Sequence, residues 1–391
     1  MKRPIYLDHH ATTPVDPRVL EVMLPYFGED FGNASSATHA YGWRAEAAVE
    51  DARERLASAI GARDPREIVF TSGTTESDNL ALLGVARASA QSKPHVITSA
   101  IEHPAVLDAG HALAREGGRL SCLPVDSEGR LAPETLAAAC GEGSVLVSVG
   151  AANSEIGTLQ PLEMLAGLCH ERGVLFHSDA AQAVGKLPID VVAQGIDLLS
   201  FCAHKLYGPK GIGALYVRGG RPKIRLAPLL HGGGQEGGLR PGTLPVALCV
   251  GFAKAVELCV AELATESERL CALRDGFFDQ LVAEIPGVAR NGPARERLPG
   301  NLNLSFAGVR ADALLSRLPE FALSTGSACA SGSGKPSHVL AALGFDEPRM
   351  RGAIRIGLGR GTTREDLALL ARRLAEEVRA ARKSDATLAV R

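Results

Sequence analysis

The sequence predicts an α/β protein: a large, mainly parallel sheet covered by helices, followed by a smaller α+β domain. Two observations carry this. Through the middle of the chain, short β-branched runs at 67–71, 95–99, 120–124, 145–149, 174–177 and 197–201 alternate with Ala/Leu-rich stretches of helical length, such as 78–89 and 133–140. Past residue 260 the alternation stops, and isolated strands at 301–306 and 353–357 lie between helical stretches. One junction breaks the parallel pattern. Only about ten residues join the run ending near Ala203 to the next, near Gly213, too few for a helical crossover, so an antiparallel pair is expected there.

The remaining elements follow in order. A single long helix is expected over 253–281. A closing helix is expected from Thr362-x-x-Glu365, a capping-box spacing, with Leu367, Leu370, Leu374 and Val378 on one face and fraying from Ser384 onward. The large domain is placed at 15–260, and the small one at 1–14 with 261–391. No internal repeat is visible.

Composition narrows the function. The net charge of −2 gives no reason to invoke nucleic acid or a membrane surface as partner. The basic start, Met1 to Asp8, lacks the apolar stretch of a signal peptide, and no run is long enough to span a bilayer. Eight cysteines contain no Cys-x-x-Cys pair, so no metal site is expected, and reduced thiols in a cytoplasmic protein are.

Chemistry gathers where strands end. Lys205, in Cys202-Ala203-His204-Lys205, stands just past the carboxyl end of an apolar run, where open α/β sheets place their ligands; a lysine there suits a Schiff base to an aldehyde cofactor, although alone it also reads as a surface lysine. Lys210 reads as solvated. Asp179, in His177-Ser178-Asp179, ends the neighbouring run and could hold a protonated pyridine nitrogen, or simply cap a helix. Thr71-Ser72-Gly73-Thr74-Thr75 opens a helix with small hydroxyl residues, which suits a phosphate and equally a plain cap. His103 follows a fourth run and could stack on a flat ring, or be structural.

No dinucleotide or P-loop glycine spacing occurs. His231-Gly-Gly-Gly looks like an esterase oxyanion loop, but no Gly-x-Ser-x-Gly elbow accompanies it. Finally, Cys329 sits in a small, polar segment, about 323–337, the setting of a reactive thiol; the other seven cysteines read as buried small hydrophobes.

Taken together these motifs resemble one family. Tyr6-Leu7-Asp8 with Ala11-Thr12-Thr13-Pro14, the Thr71–Ser77 turn, Glu102-His103, Asp179 with Gln182, His204-Lys205, His231-Gly-Gly-Gly-Gln-Glu, Gly242-Thr243-Leu244-Pro245, Gly326-Ser-Ala-Cys329 and Ile354-Arg355 to Arg360 match the cysteine desulfurases of the class-V aminotransferase group, in order and spacing. The Ser-Ala-Cys-Ala-Ser-Gly-Ser segment is similar to that of the NifS/IscS-like subgroup. The resemblance implies the fold-type I architecture of pyridoxal 5'-phosphate enzymes. It implies that Lys205 holds the cofactor, Asp179 pairs with its ring nitrogen, Gln182 contacts its phenolic oxygen and His103 stacks on it. Thr74, Thr75, Cys202, His204 and, from a partner subunit, Thr243 would surround the phosphate. Asn153 and Ser154 would border cofactor and substrate, and Arg355 would grip the substrate carboxylate.

Two positions depart from the family: Ser154 stands where a second Asn is usual, and Cys202 replaces a serine. The chain also ends before the tail with which longer relatives dock an iron–sulfur scaffold. The activity implied is conversion of L-cysteine to L-alanine, leaving a persulfide on Cys329 for a sulfur-acceptor protein such as an iron–sulfur scaffold, in a homodimer. A selenocysteine lyase on the same scaffold, a class-V aminotransferase and a non-catalytic sulfur-relay subunit are the alternatives.

Overall fold

A computed structural model describes residues 3–326 and 337–388. In chain order its strands are β1 (Ile5–Tyr6), β2 (Ile68–Thr71), β3 (His95–Ser99), β4 (Arg119–Leu123), β5 (Ser144–Ser148), β6 (Leu175–Asp179), β7 (Leu198–Cys202), β8 (Gly213–Val217), β9 (Val288–Asn291), β10 (Asn301–Phe306), β11 (Phe321–Ala322) and β12 (Ala353–Gly357). Seven form one sheet in the order β2-β8-β7-β6-β5-β3-β4. β8 runs antiparallel to both neighbours, as the short connection requires, and the other pairs are parallel.

Apolar continuity explains why these runs are strands. β2, β3 and β7 are buried along their whole length, the pattern of a sheet covered on both faces. Phe70, Val147, Phe176 and Phe201 pack on one face against the helices Ala40–Ala59 and Val246–Ala261, while Val69, Val96, Leu146 and Leu198 pack on the other against Thr74–Ala88. Every parallel strand therefore directs its carboxyl end to the same edge, and that edge carries the polar turns identified above.

The rest of the chain forms an antiparallel sheet, β12-β10-β9, under the helices Leu263–Glu284 and Arg364–Leu388. Leu367, Leu370, Leu374 and Val378 are all at most 3% exposed, and burying each contributes about 1.5–3 kcal/mol. The N-terminal β1 pairs with β11, and Leu7 joins the same core.

The structure corrects several expectations. The helix expected over 253–281 is two, Val246–Ala261 and Leu263–Glu284. The chain turns at Glu262, whose carboxylate pairs with Arg18 and Arg360. The capping box of the closing helix is Thr363-x-x-Asp366, not Thr362-x-x-Glu365: Asp366 N donates to Thr363 Oγ1 at 3.1 Å and Thr363 N to Asp366 Oδ2 at 3.0 Å. Thr362 instead accepts from Gly359 N. The closing helix runs on to Leu388, past the expected fraying point. The helix expected from Asp78 starts at Thr74. Cys122 is exposed on the edge strand β4 rather than buried.

Candidate active site

The N-terminal segment closes the site from above. Thr13 donates through both N and Oγ1 to the carbonyl oxygen of His204, and Asp16 N donates to the carbonyl of Tyr207. Lys205 thus sits in a short turn pinned from both sides. Tyr207, two residues on, takes a positive φ of 61°, which costs a non-glycine residue about 1–3 kcal/mol. Arg360 offsets this by stacking over its ring at 4.4 Å and donating its amide to the phenol oxygen.

The strand ends and this segment enclose a cavity of about 640 Å³. Lys205, Asp179, Gln182, His103, Thr74, Thr75, Cys202, His204, Asn153, Ser154 and Arg355 all line it. Thr243 does not; it is exposed on the surface. Cys329 lies outside the described residues. The described residues flanking the segment that carries it adjoin this cavity, however. On one side Ser324 donates to Asp8 Oδ1 at 3.1 Å beside Arg355; on the other His338 lines the wall, its Nε2 3.0 Å from the carbonyl oxygen of Glu102.

Lys205 Nζ donates to the carbonyls of His10 and Ala11, both at 2.7 Å. Burial lowers its pKa, favouring the neutral amine. Asp179, the last residue of β6, accepts from Ala181 N at 2.9 Å, so it serves as a turn cap as well as facing the cavity. Burial raises its pKa. Beneath it Asp78 is fully buried, and burial together with the charge of Asp179 pushes its pKa well up. Of the two acids, the one toward the cavity is the better placed to be charged. His103 has its pKa lowered by burial, and its Nδ1 accepts from Ala105 N at 3.1 Å.

A phosphate fits the opposite end. The helix Thr74–Ala88 begins at Gly73 with no side-chain cap, and Thr74 Oγ1 is buried without a hydrogen-bond partner. A Cβ at position 213 would come within 2.6 Å of Gly73 Cα, so only glycine lets β8 back this turn. Cys202 is buried beside it, and burial keeps its thiol protonated. His204 is held neutral, its pKa lowered to about 4 by burial and by Lys205. The residues present therefore fit a flat, phosphorylated aldehyde.

Arg355 is 1% exposed; Nη2 donates to Asp8 Oδ1 at 2.7 Å and Nη1 to the Ser154 carbonyl at 3.3 Å, while Nε is buried with no partner. Asn153 spends its amide on the local turn, accepting from Glu155 N and Ile156 N and donating to the Ile101 carbonyl. Sequence reasoning missed His10, Glu155, Lys186 and His338, which lie at or just behind the cavity wall. Glu155, adjoining Ser154, is the one of these that its neighbours in sequence could have flagged.

Comparisons with known proteins agree with this geometry. Residues 5–370 match the class-V aminotransferase family. A protein named cysteine desulfurase IscS from Anaeromyxobacter sp. (strain Fw109-5) is 51% identical over 98% of this chain and 94% of its own. The mitochondrial cysteine desulfurase of Drosophila melanogaster is 51% identical over 93% of this chain and 79% of its own. Among solved structures, a NifS-like protein superposes with a TM-score of 0.88 at 38% identity, covering 95% of this chain and 98% of that one. SspA in complex with cysteine does so with 0.81 at 40% identity, covering 90% and 98%. The chain belongs to the class-V aminotransferase family, a family of pyridoxal-phosphate enzymes of this fold.

Proposed function

We propose that the protein is a cysteine desulfurase, taking sulfur from L-cysteine onto Cys329 and releasing L-alanine. The observation that carries this is the meeting, at one cavity, of Lys205, Asp179, His103 and Arg355 with the described residues flanking the Cys329 segment. The relatives named cysteine desulfurase support it.

Bound pyridoxal phosphate supplies an electron sink for the substrate's α-carbon. Lys205 would hold it covalently, and its amine, with a pKa lowered by burial, is placed to take the substrate's α-proton. Asp179 would pair with the ring nitrogen, and Asp78 beneath it, its pKa pushed well up by burial and by Asp179, favours leaving the negative charge on Asp179. Gln182 would contact the phenolic oxygen, and Thr74, Thr75, Cys202 and His204 would hold the phosphate, with Thr243 serving the site of a partner subunit. Asn153 fixes the turn that presents Ser154 beside the substrate. Arg355 takes the substrate carboxylate through its unpartnered Nε and an adjacent Nη. The thiolate of Cys329 attacks the substrate sulfur: an S–S bond forms and the C–S bond breaks. That electron pair passes to the substrate's β-carbon, which takes a proton carried by His103; Lys205 returns the α-proton, and alanine leaves. The enzyme keeps a persulfide for an acceptor protein such as an iron–sulfur scaffold.

We place the working form as a homodimer in the cytoplasm. Phe27, Phe31, Tyr41 and Trp43 are 50–67% exposed on one stretch near the N-terminus, a face that a second copy would cover. No helix of the described residues is long and apolar enough to cross a membrane.

Purified protein given L-cysteine and dithiothreitol should release alanine and sulfide in equal amounts, and Lys205→Ala should lose both turnover and the visible absorption of the bound cofactor. A Lys205→Ala protein that keeps that band would overturn the anchor assignment. Comparing cysteine with selenocysteine in Cys329→Ser separates the lyase alternative, which needs no acceptor thiol.

A further inference from the structure

We propose that Lys186 is a positioning residue for the cofactor site, fixing the side-chain amide of Gln182 so that its N–H, rather than its oxygen, is available to the cofactor. This rests on the reading of Gln182 as a cofactor contact.

Lys186 follows β6 in a turn and lies behind the wall, not among the residues that line the cavity. Its Nζ donates to Gln182 Oε1 at 2.9 Å. His10 Nδ1 lies 3.0 Å from the same oxygen, and Gln182 Nε2 donates to the carbonyl oxygen of His10 at 3.0 Å. An amide can be turned end for end, but not here. Turned over, its NH₂ would face the Lys186 ammonium, a donor against a donor, and its oxygen would face the His10 carbonyl, an acceptor against an acceptor.

The His10 tautomer follows. Gln182 Oε1 can only accept, so His10 carries its proton on Nδ1. Nε2, 3.3 Å from the Gly300 carbonyl, is then a lone pair and makes no bond there. Burial holds the ring neutral, which agrees with a single ring proton. One of the two N–H groups of Gln182 goes to His10, and the other remains for the cavity that Gln182 lines. The His10 carbonyl resists the turn in either tautomer, but the ring gives way: with its proton on Nε2 it would accept from a turned NH₂ and offset part of that cost. The Lys186 ammonium, which can only donate, adds an obstacle that the ring lacks.

Burial and the charge of Lys205 bring the Lys186 amine down to about 7. As the ammonium it has only N–H groups to give, so it opposes the turn; once neutral it also carries a lone pair that could accept, and the His10 carbonyl then holds the orientation. A buried amine whose bond goes to an uncharged amide is costly to keep. A bond that orients a cofactor contact accounts for it.

The test follows the visible absorption of the cofactor-loaded protein against pH in wild type, Lys186→Met, Lys186→Gln, Gln182→Leu and the Lys186→Met/Gln182→Leu pair. An N–H donor to the phenolic oxygen stabilises its anionic form, so Lys186→Met should raise the spectral midpoint by about half a pH unit or more, as Gln182→Leu should. The double variant should go no further than Gln182→Leu alone, and Lys186→Gln, a neutral donor, should keep the wild-type midpoint. A Lys186→Met shift that persists in full in the Gln182→Leu background would show that the lysine acts by charge through space, which overturns the proposal; so would a Lys186→Gln midpoint displaced from wild type, a result that stands even where the Met variant fails to fold. An unchanged Lys186→Met midpoint overturns it too. Failure of the underlying reading looks different: wild type would show no cofactor band, or Gln182→Leu would leave the midpoint unmoved.

Discussion

At the scale of single residues, the site works by holding groups in the less charged state that burial favours. His103 is the clearest case. Its pKa lies below the ordinary imidazole value of about 6.5, because burial disfavours the cation. A neutral His103 can accept a proton, so turnover should fall as pH drops through that lowered value, and His103→Gln should remove this acid limb. An acid limb left unchanged in His103→Gln would assign it to another group. Arg355 works by geometry instead. Its planar fork already spends two nitrogens on Asp8 and Ser154 and has a third free. Arg355→Lys keeps the charge but not the fork, and KM for cysteine should rise about tenfold or more, a loss of about 1.4 kcal/mol per decade. Equal KM values would exclude a bidentate grip.

At the scale of elements, the strand ends were legible and the segment that closes over them was not. Lys205, Asp179 and His103 each follow an apolar run, and that spacing marks a strand's carboxyl end without any knowledge of tertiary contacts. Whether Lys205 lies beside His10 and Ala11 depends on a contact across 195 positions, for which no local pattern exists. The same limit hid Lys186, whose role rests on Gln182 and His10 together. The capping box was misplaced by one residue because Thr362-x-x-Glu365 and Thr363-x-x-Asp366 carry the same spacing; only geometry separates them.

Buried His177 ties three strands, its Nδ1 2.8 Å from Ser148 Oγ and its Nε2 2.9 Å from Ser200 Oγ. His177→Phe would strand both hydroxyls and should cost about 2–4 kcal/mol in denaturant unfolding. A loss under 0.5 kcal/mol would mean that the hydroxyls find other partners. The folded pKa of His177 is lowered to about 3 by burial. The unfolded chain therefore takes up a proton below about 6.5 that the folded one refuses, and stability should decline as pH falls from there toward 3.

At the scale of the whole molecule, the exposed aromatic face and the position of Thr243 belong together. Thr243 lies outside its own chain's cavity, and Phe27, Phe31, Tyr41 and Trp43 lie uncovered. In a dimer both would find a place. Sedimentation should give twice the chain mass of 40.9 kDa, and Phe31→Glu with Trp43→Glu should yield a monomer that binds the cofactor more weakly. A fully active monomer would leave Thr243 without a phosphate to bind.

The central claim is that sulfur leaves cysteine for Cys329, and it is tested most directly by alanine release from L-cysteine in Cys329→Ser beside wild type, with the cofactor band recorded in both. The expected result is an intact band in each and alanine from wild type alone. Alanine released by Cys329→Ser at the wild-type rate would contradict the account.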